Sequence, residues 1–120
     1  MNPPRIKRVY APPEPADGTR ILVDRLWPRG ISRERAGIDL WLKEIAPSDA
    51  LRKRFHAKPE DWREFCAAYY AELESNAATH DLIGRLKSGP VTLLYAARNE
   101  HQNNAMALKA WLERLHVRTR

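Results

Sequence analysis

From Val91 to Ala97 the chain is apolar at every position except Thr92, and the run follows directly on Gly89-Pro90, a pair that stops a helix. A continuous apolar segment of that length does not alternate between core and solvent, so it reads as a central strand covered on both faces. The segments beside it have helical spacing. Leu82, Ile83 and Leu86 precede it, and Ala105, Leu108, Trp111, Leu112 and Leu115 form an apolar stripe after it. Further back, Pro59 suits a first helical turn, Glu60 and Asp61 suit its positive end, and Trp62, Phe65, Cys66, Tyr69 and Leu73 recur at three and four. Helix followed by strand followed by helix is the rhythm of an α/β domain.

A second strand is expected at Ile21–Val23, with Thr19 and Arg20 leading in. It runs straight into Asp24-Arg25-Leu26-Trp27-Pro28-Arg29-Gly30, where charge, aromaticity and backbone restriction meet. Pro28 fixes its own φ and biases Trp27 toward extended backbone, while Gly30 accepts dihedrals other residues avoid, so Trp27 and Arg29 are held with little freedom. The C-terminal ends of strands are where open α/β sheets bind ligands, and rigidly presented guanidinium groups suit a carboxylate or phosphate. The simpler alternative is that Asp24 pins the loop by pairing with an arginine while Trp27 packs in the core. A second polar strand end, Arg98 to Asn104, precedes the last helix and places free backbone N–H groups near Tyr95 and Asn104. Here too a simpler reading stands beside it: Asn99 caps the helix and the other side chains face water.

The remaining elements are short. Arg5 to Tyr10 alternates in the manner of a strand at or near a sheet edge, and Pro12, Pro13 and Pro15 then exclude regular structure before an Asp17-Gly18 turn. So short a connection favours antiparallel pairing of the first two strands, since parallel crossovers take about a dozen residues. Ser32 caps a brief turn over Arg33–Ala36 that Gly37 ends; Asp39 caps a helical segment containing Leu40, Trp41 and Ile45; Ser48 caps a third, with Leu51 and Phe55 on one face. Together these form a broken helical layer able to carry Lys43, Arg52 and His56 toward the loop.

A chain of 120 residues is expected to form one domain with an adequate core. Residues 1 to 20 hold no apolar run of signal-peptide length and no later stretch approaches the roughly 18 apolar residues of a membrane span, so a cytoplasmic location is expected. The formal net charge of +6 and isoelectric point near 9.8 favour acidic partners, although the basic residues are dispersed rather than packed into one run. Neither a Walker loop nor G-x-G-x-x-G is present, the four histidines lack metal-ligand spacing, and Ser32 and Ser48 are explained as helix caps. No cofactor or metal is therefore expected. The single cysteine, Cys66, reads as a reduced structural thiol.

Three segments, DRLWPRG, WLKEIAPS and VTLLYAA, occurring in this order, resemble the YeaO-like branch of domain-of-unknown-function family 488, and the likeness extends over nearly the whole chain. The resemblance implies a small bacterial α/β protein with a largely parallel sheet, for which the segments above supply about three strands, and it shifts the first strand toward a parallel orientation without fixing it. It implies no reaction. Its motif positions here are Asp24, Arg25, Trp27, Pro28, Arg29, Gly30, Trp41, Lys43, Pro47, Ser48, Arg52, Phe55 and Tyr95. The resemblance further implies histidine in the turn where this chain has Gln102 and Asn104, and, in the wider family, cysteine where it has Tyr95. Thiol chemistry at that strand end is thereby excluded, and a histidine-based role would fall to His101.

These readings converge on a site for an anionic small molecule between the two polar strand ends. Arg25 and Arg29 are assigned to the anion, with Arg52 beside them; Asp24 orients them or serves as a base; Trp27 and Tyr95 form walls; Lys43 and Asn104 supply donors. Catalysis and simple binding are both open at this point. Nucleic-acid binding or regulation through the basic surface is the second reading, though no helix-turn-helix with an exposed recognition face is apparent, and a homodimer contact through the Trp27 loop is the third.

Overall fold

A computed structural model describes residues 1–118. Its centre is a four-stranded, wholly parallel sheet in the order β1-β4-β2-β3, formed by β1 (Arg5–Arg8), β2 (Thr19–Leu22), β3 (Leu40–Trp41) and β4 (Val91–Tyr95). All five residues of β4 are buried, as its composition requires of a strand with neighbours on both sides and layers on both faces.

The first two strands do not pair with each other. Each lies beside β4, with Arg5 opposite Thr92 and Thr19 opposite Val91, so the short Pro-rich connection steps over β4 instead of closing a hairpin. That corrects the antiparallel expectation: loop length restricts pairing only between strands that are neighbours, and a strand from the far end of the chain separates these two. Gly18 makes the arrangement possible. Its φ is +63°, and a Cβ there would lie 2.2 Å from the Pro90 carbonyl oxygen, which accepts from the Thr19 amide and sets the register.

Four helices longer than two turns follow: α2 (Asp49–Ala57), α3 (Trp62–Glu74), α4 (Ala77–Ser88) and α5 (Asn104–Arg118), after the single-turn α1 (Arg33–Ala36). Residues from all four pack on one face of the sheet, where Leu51, Tyr69, Leu73, Leu82, Leu86, Leu108 and Leu112 meet Ile21, Val23, Leu93 and Tyr95. The opposite face has a thinner cover. There Leu22 and Leu94 meet Val9, Ala36 and Ile38, with Trp27, Ile31 and Trp41 packed against them, from β1's exit, α1, β3 and the connecting loops. Ser32 caps α1 and Gly37 ends it at φ 63°, as expected. The segment after Asp39 is not helical: Leu40 and Trp41 pair with Ile21 and Leu22 as β3, and the Asp39 carboxylate accepts from the Arg20 amide at 2.8 Å instead of capping a helix. Further along that segment, Lys43–Ile45 forms a 3-10 turn. The long third helix starts at Trp62, past Pro59.

A buried ion pair ties the thin face together. Arg20, 3% exposed, donates from Nη1 to Asp17 at 2.7 Å, from Nη2 to the Ala36 and Ala11 carbonyls, and from Nε to Ala36 and Gly37. One side chain thus joins β2, the Pro-rich loop and the end of α1. Burial by itself would raise the Asp17 pKa, but bonds from Lys7, the Glu14 amide and Arg20 outweigh it and bring the carboxyl from 3.8 down to about 2. Since the folded-state value lies below the ordinary one, this stabilisation is complete above pH 3.8 and disappears as pH falls toward 2. Asp17→Ala leaves the Arg20 charge buried without its counter-ion and should cost about 3 kcal/mol at pH 7 in urea unfolding, with a smaller difference from the parent at acid pH; an unchanged midpoint would contradict this role.

Candidate functional site

Because β2 and β4 are adjacent and parallel, their C-terminal ends emerge side by side. Asp24 leaves β2 and its carboxylate accepts from the Ala96 amide at 2.9 Å; Asn104, at the start of α5, donates from its side-chain amide to the Val23 carbonyl, also at 2.9 Å. Two segments distant in sequence are joined directly by these bonds. The hollow they border has a volume of about 620 Å³, within the range that holds small molecules.

The Asp24–Gly30 loop forms one side and is firmly held. Trp41 Nε1 donates to the Asp24 carbonyl at 2.8 Å, Trp27 Nε1 donates to the Ile31 carbonyl at 2.8 Å, and the two indoles meet edge to face at 5.3 Å. Tyr10 donates from its hydroxyl to the Arg29 carbonyl at 3.0 Å, fixing that residue's backbone. The stretch from Ala46 into α2 supplies another part of the lining. It is anchored from α3: Glu72 accepts from the Ser48 amide and hydroxyl, while Ser48 Oγ caps α2 by accepting from Leu51, and Tyr69 donates to the Ile45 carbonyl at 2.6 Å. Arg52, Phe55 and His56 thereby face the hollow from α2.

Six of the eight residues picked from the sequence line this one cleft: Asp24, Arg25, Trp27, Arg29, Arg52 and Asn104. Lys43 and Tyr95 do not. Lys43 stands over the Trp41 ring with Nζ 5.4 Å from its centroid, outside the cleft. Tyr95 occupies the β4 position that alternation directs into the helical layer, and it is 3% exposed within that core, so it forms no wall of the cleft. Asn104 donates from its side-chain amide to Val23 and also bonds the Asp24 side chain. The helix itself is capped by Asn103, whose Oδ1 accepts from the Met106 amide; Asn99 closes the preceding turn, accepting from His101 and Gln102. Arg8 and Arg98 also line the cleft, beyond the residues expected from the sequence. Arg8 donates to the Ala96 and Ala97 carbonyls at 3.1 Å, a contact that only the unforeseen β1–β4 pairing creates.

The electrostatic balance is one-sided. Arg8, Arg25, Arg29, Arg52 and Arg98 line the cleft against one carboxylate, Asp24. Arg25 reaches the Pro47 and Ala46 carbonyls at 3.2 and 3.3 Å, leaving further donors on a group that has five. Asp49 lies 3.9 Å from Arg25 and 3.4 Å from Arg52, but it is 64% exposed, so these contacts hold little energy. Arg52 Nε is buried with no hydrogen-bond partner among the described residues. Cation binding is disfavoured by such a lining, and no group of three or more metal-ligating side chains occurs among the described residues. Cys66 lies on α3 outside the cleft, and burial raises its thiol further from the reactive thiolate form.

Burial raises the Asp24 pKa, against the opposing pull of the Ala96 and Asn104 hydrogen bonds. A folded carboxyl that binds its proton more tightly than the unfolded one loses stability as pH rises through its titration, so the ionised form is a net burden at neutral pH. Asp24→Asn keeps an oxygen acceptor for Ala96 and removes the charge. It should raise the melting temperature at pH 7 by more than at pH 4, and a lowered melting temperature at pH 7 would show that the carboxylate's bonds outweigh its desolvation.

The family described as "Inactive DUF488-N3 subclade" matches residues 4–120. Similar proteins include "Uncharacterized protein YeaO" of Escherichia coli K12, 49% identical over 114 residues, covering 91% of this chain and 96% of that protein. Another is "Uncharacterized protein Rv3073c" of Mycobacterium tuberculosis H37Rv, 38% identical over 104 residues, covering 87% of this chain and 88% of the relative. "Uncharacterized protein Mb3100c" of Mycobacterium bovis is similar to the same extent. No solved structure matches the chain. With a family match over almost its whole length and relatives this similar, the chain belongs to the DUF488-N3i family, the inactive DUF488-N3 subclade.

Proposed function

We propose that the cleft is a binding site for an anionic small molecule, and that the protein holds this ligand without transforming it. The observation that carries the reading is the presence of five arginines in the lining of one concave site that contains a single carboxylate residue. The lining contains no serine, threonine or cysteine that could act as a nucleophile, and Asp24 is engaged by the Ala96 amide. The family's description as inactive agrees with binding in place of turnover. Concentration of the arginines in a hollow also favours a small ligand over nucleic acid, whose backbone calls for basic groups along an open surface.

Inorganic phosphate at constant ionic strength tests this by calorimetric titration. The parent protein should bind it saturably, and Arg52→Ala and Arg29→Ala should each weaken binding by about tenfold, the loss expected for one charge-assisted hydrogen bond. Binding equally tight in both variants, or none in the parent, would reject the reading.

A further inference from the structure

Tyr10 and Leu26 are the two large apolar side chains left exposed among the described residues, at 43% and 60%, and both border the cleft. Isolated exposed apolar groups are ordinary, but the placement of both at one charged hollow gives that hollow a second chemistry. Behind them the wall continues in Pro47 and Phe55. Phe55 is half-buried and stacks on Phe65, another lining residue, at 4.5 Å, with Trp62 at 5.6 Å, so its ring is held by other aromatic rings. A bare oxyanion would occupy a small part of the 620 Å³ and leave this apolar wall in water.

Resting on the anion-binding reading above, we propose that the ligand is amphipathic: an anionic head held by the arginines and a flat aromatic body lying against Phe55 and Leu26. The arginines supply orientation and the apolar wall supplies discrimination between anions of equal charge. An aryl phosphate and an aryl carboxylate share this chemistry, and the head groups are separated by testing both.

Calorimetric titration with methyl phosphate, phenyl phosphate and benzoate, at one ionic strength, decides the matter. Phenyl phosphate should bind about tenfold more tightly than methyl phosphate, the gain expected from burying part of a ring. Benzoate binding with the same sensitivity to Phe55 would extend the ligand class to carboxylates, and its failure to bind would restrict it to phosphate esters. Phe55→Ala should remove the preference for the phenyl compound while leaving methyl phosphate unchanged, and Leu26→Ser, at an exposed position that does not threaten folding, should reduce it in the same direction. Equal affinities for phenyl and methyl phosphate in the parent would overturn the amphipathic ligand and leave the anion site standing. Absence of binding by all three compounds would overturn both.

Discussion

The bond from the Ala96 amide to the Asp24 carboxylate joins the ends of two adjacent parallel strands, and the cleft exists because those ends are joined. Parallel pairing delivers both C-terminal ends to the same edge of the sheet, and adjacency brings them within one hydrogen bond. Asn104 adds a second link through Val23. A charged carboxyl is taken partly out of water in the process, which raises its pKa. The residue bearing this cost lines the arginine-rich hollow.

The two faces of the sheet divide the work. The helical face supplies most of the apolar burial, and from it Glu72 and Tyr69 of α3 hold the stretch that leads into α2. The thin face has no long helix, and there the buried Asp17–Arg20 pair binds loops that a small apolar cluster covers. An arginine that places donors on several carbonyls, in addition to its carboxylate, satisfies backbone groups that otherwise would be buried unpaired. The rigid loop carrying Trp27 and Arg29 is built over that face, so the position of the cleft's guanidinium groups depends on a polar network on the side of the sheet away from the long helices.

Much of this was legible from residue order. The apolar run at Val91, the Ser48 cap, the Trp62–Leu73 stripe and the polar strand ends identified the α/β class and most of one cleft. Three things were not legible, each for a physical reason. Pairing partners of β1 and β2 depend on β4, which the chain reaches only some seventy residues after β2, so loop length between the first two strands was misleading. Leu40 and Trp41 have helix-compatible spacing, and only the neighbouring edge of β2 makes them a strand. Tyr95 belongs to a strand buried on both faces, where an apolar run gives no indication of which side chains turn toward the helices. The place of Arg8 beside the cleft depends on that same β1–β4 pairing, which no local pattern reveals.

Arginine side-chain resonances offer the most direct test that the cleft is where an anion binds. In a titration with inorganic phosphate followed by nitrogen–proton correlation, the Nε–Hε signals of Arg25, Arg29, Arg52 and Arg98 should move together along one saturable curve. Those of Arg20, committed to Asp17, and Arg85, paired with Asp81 elsewhere, should stay in place. Uniform drift of all the arginine signals without saturation, or movement confined to arginines outside the cleft, would contradict the account.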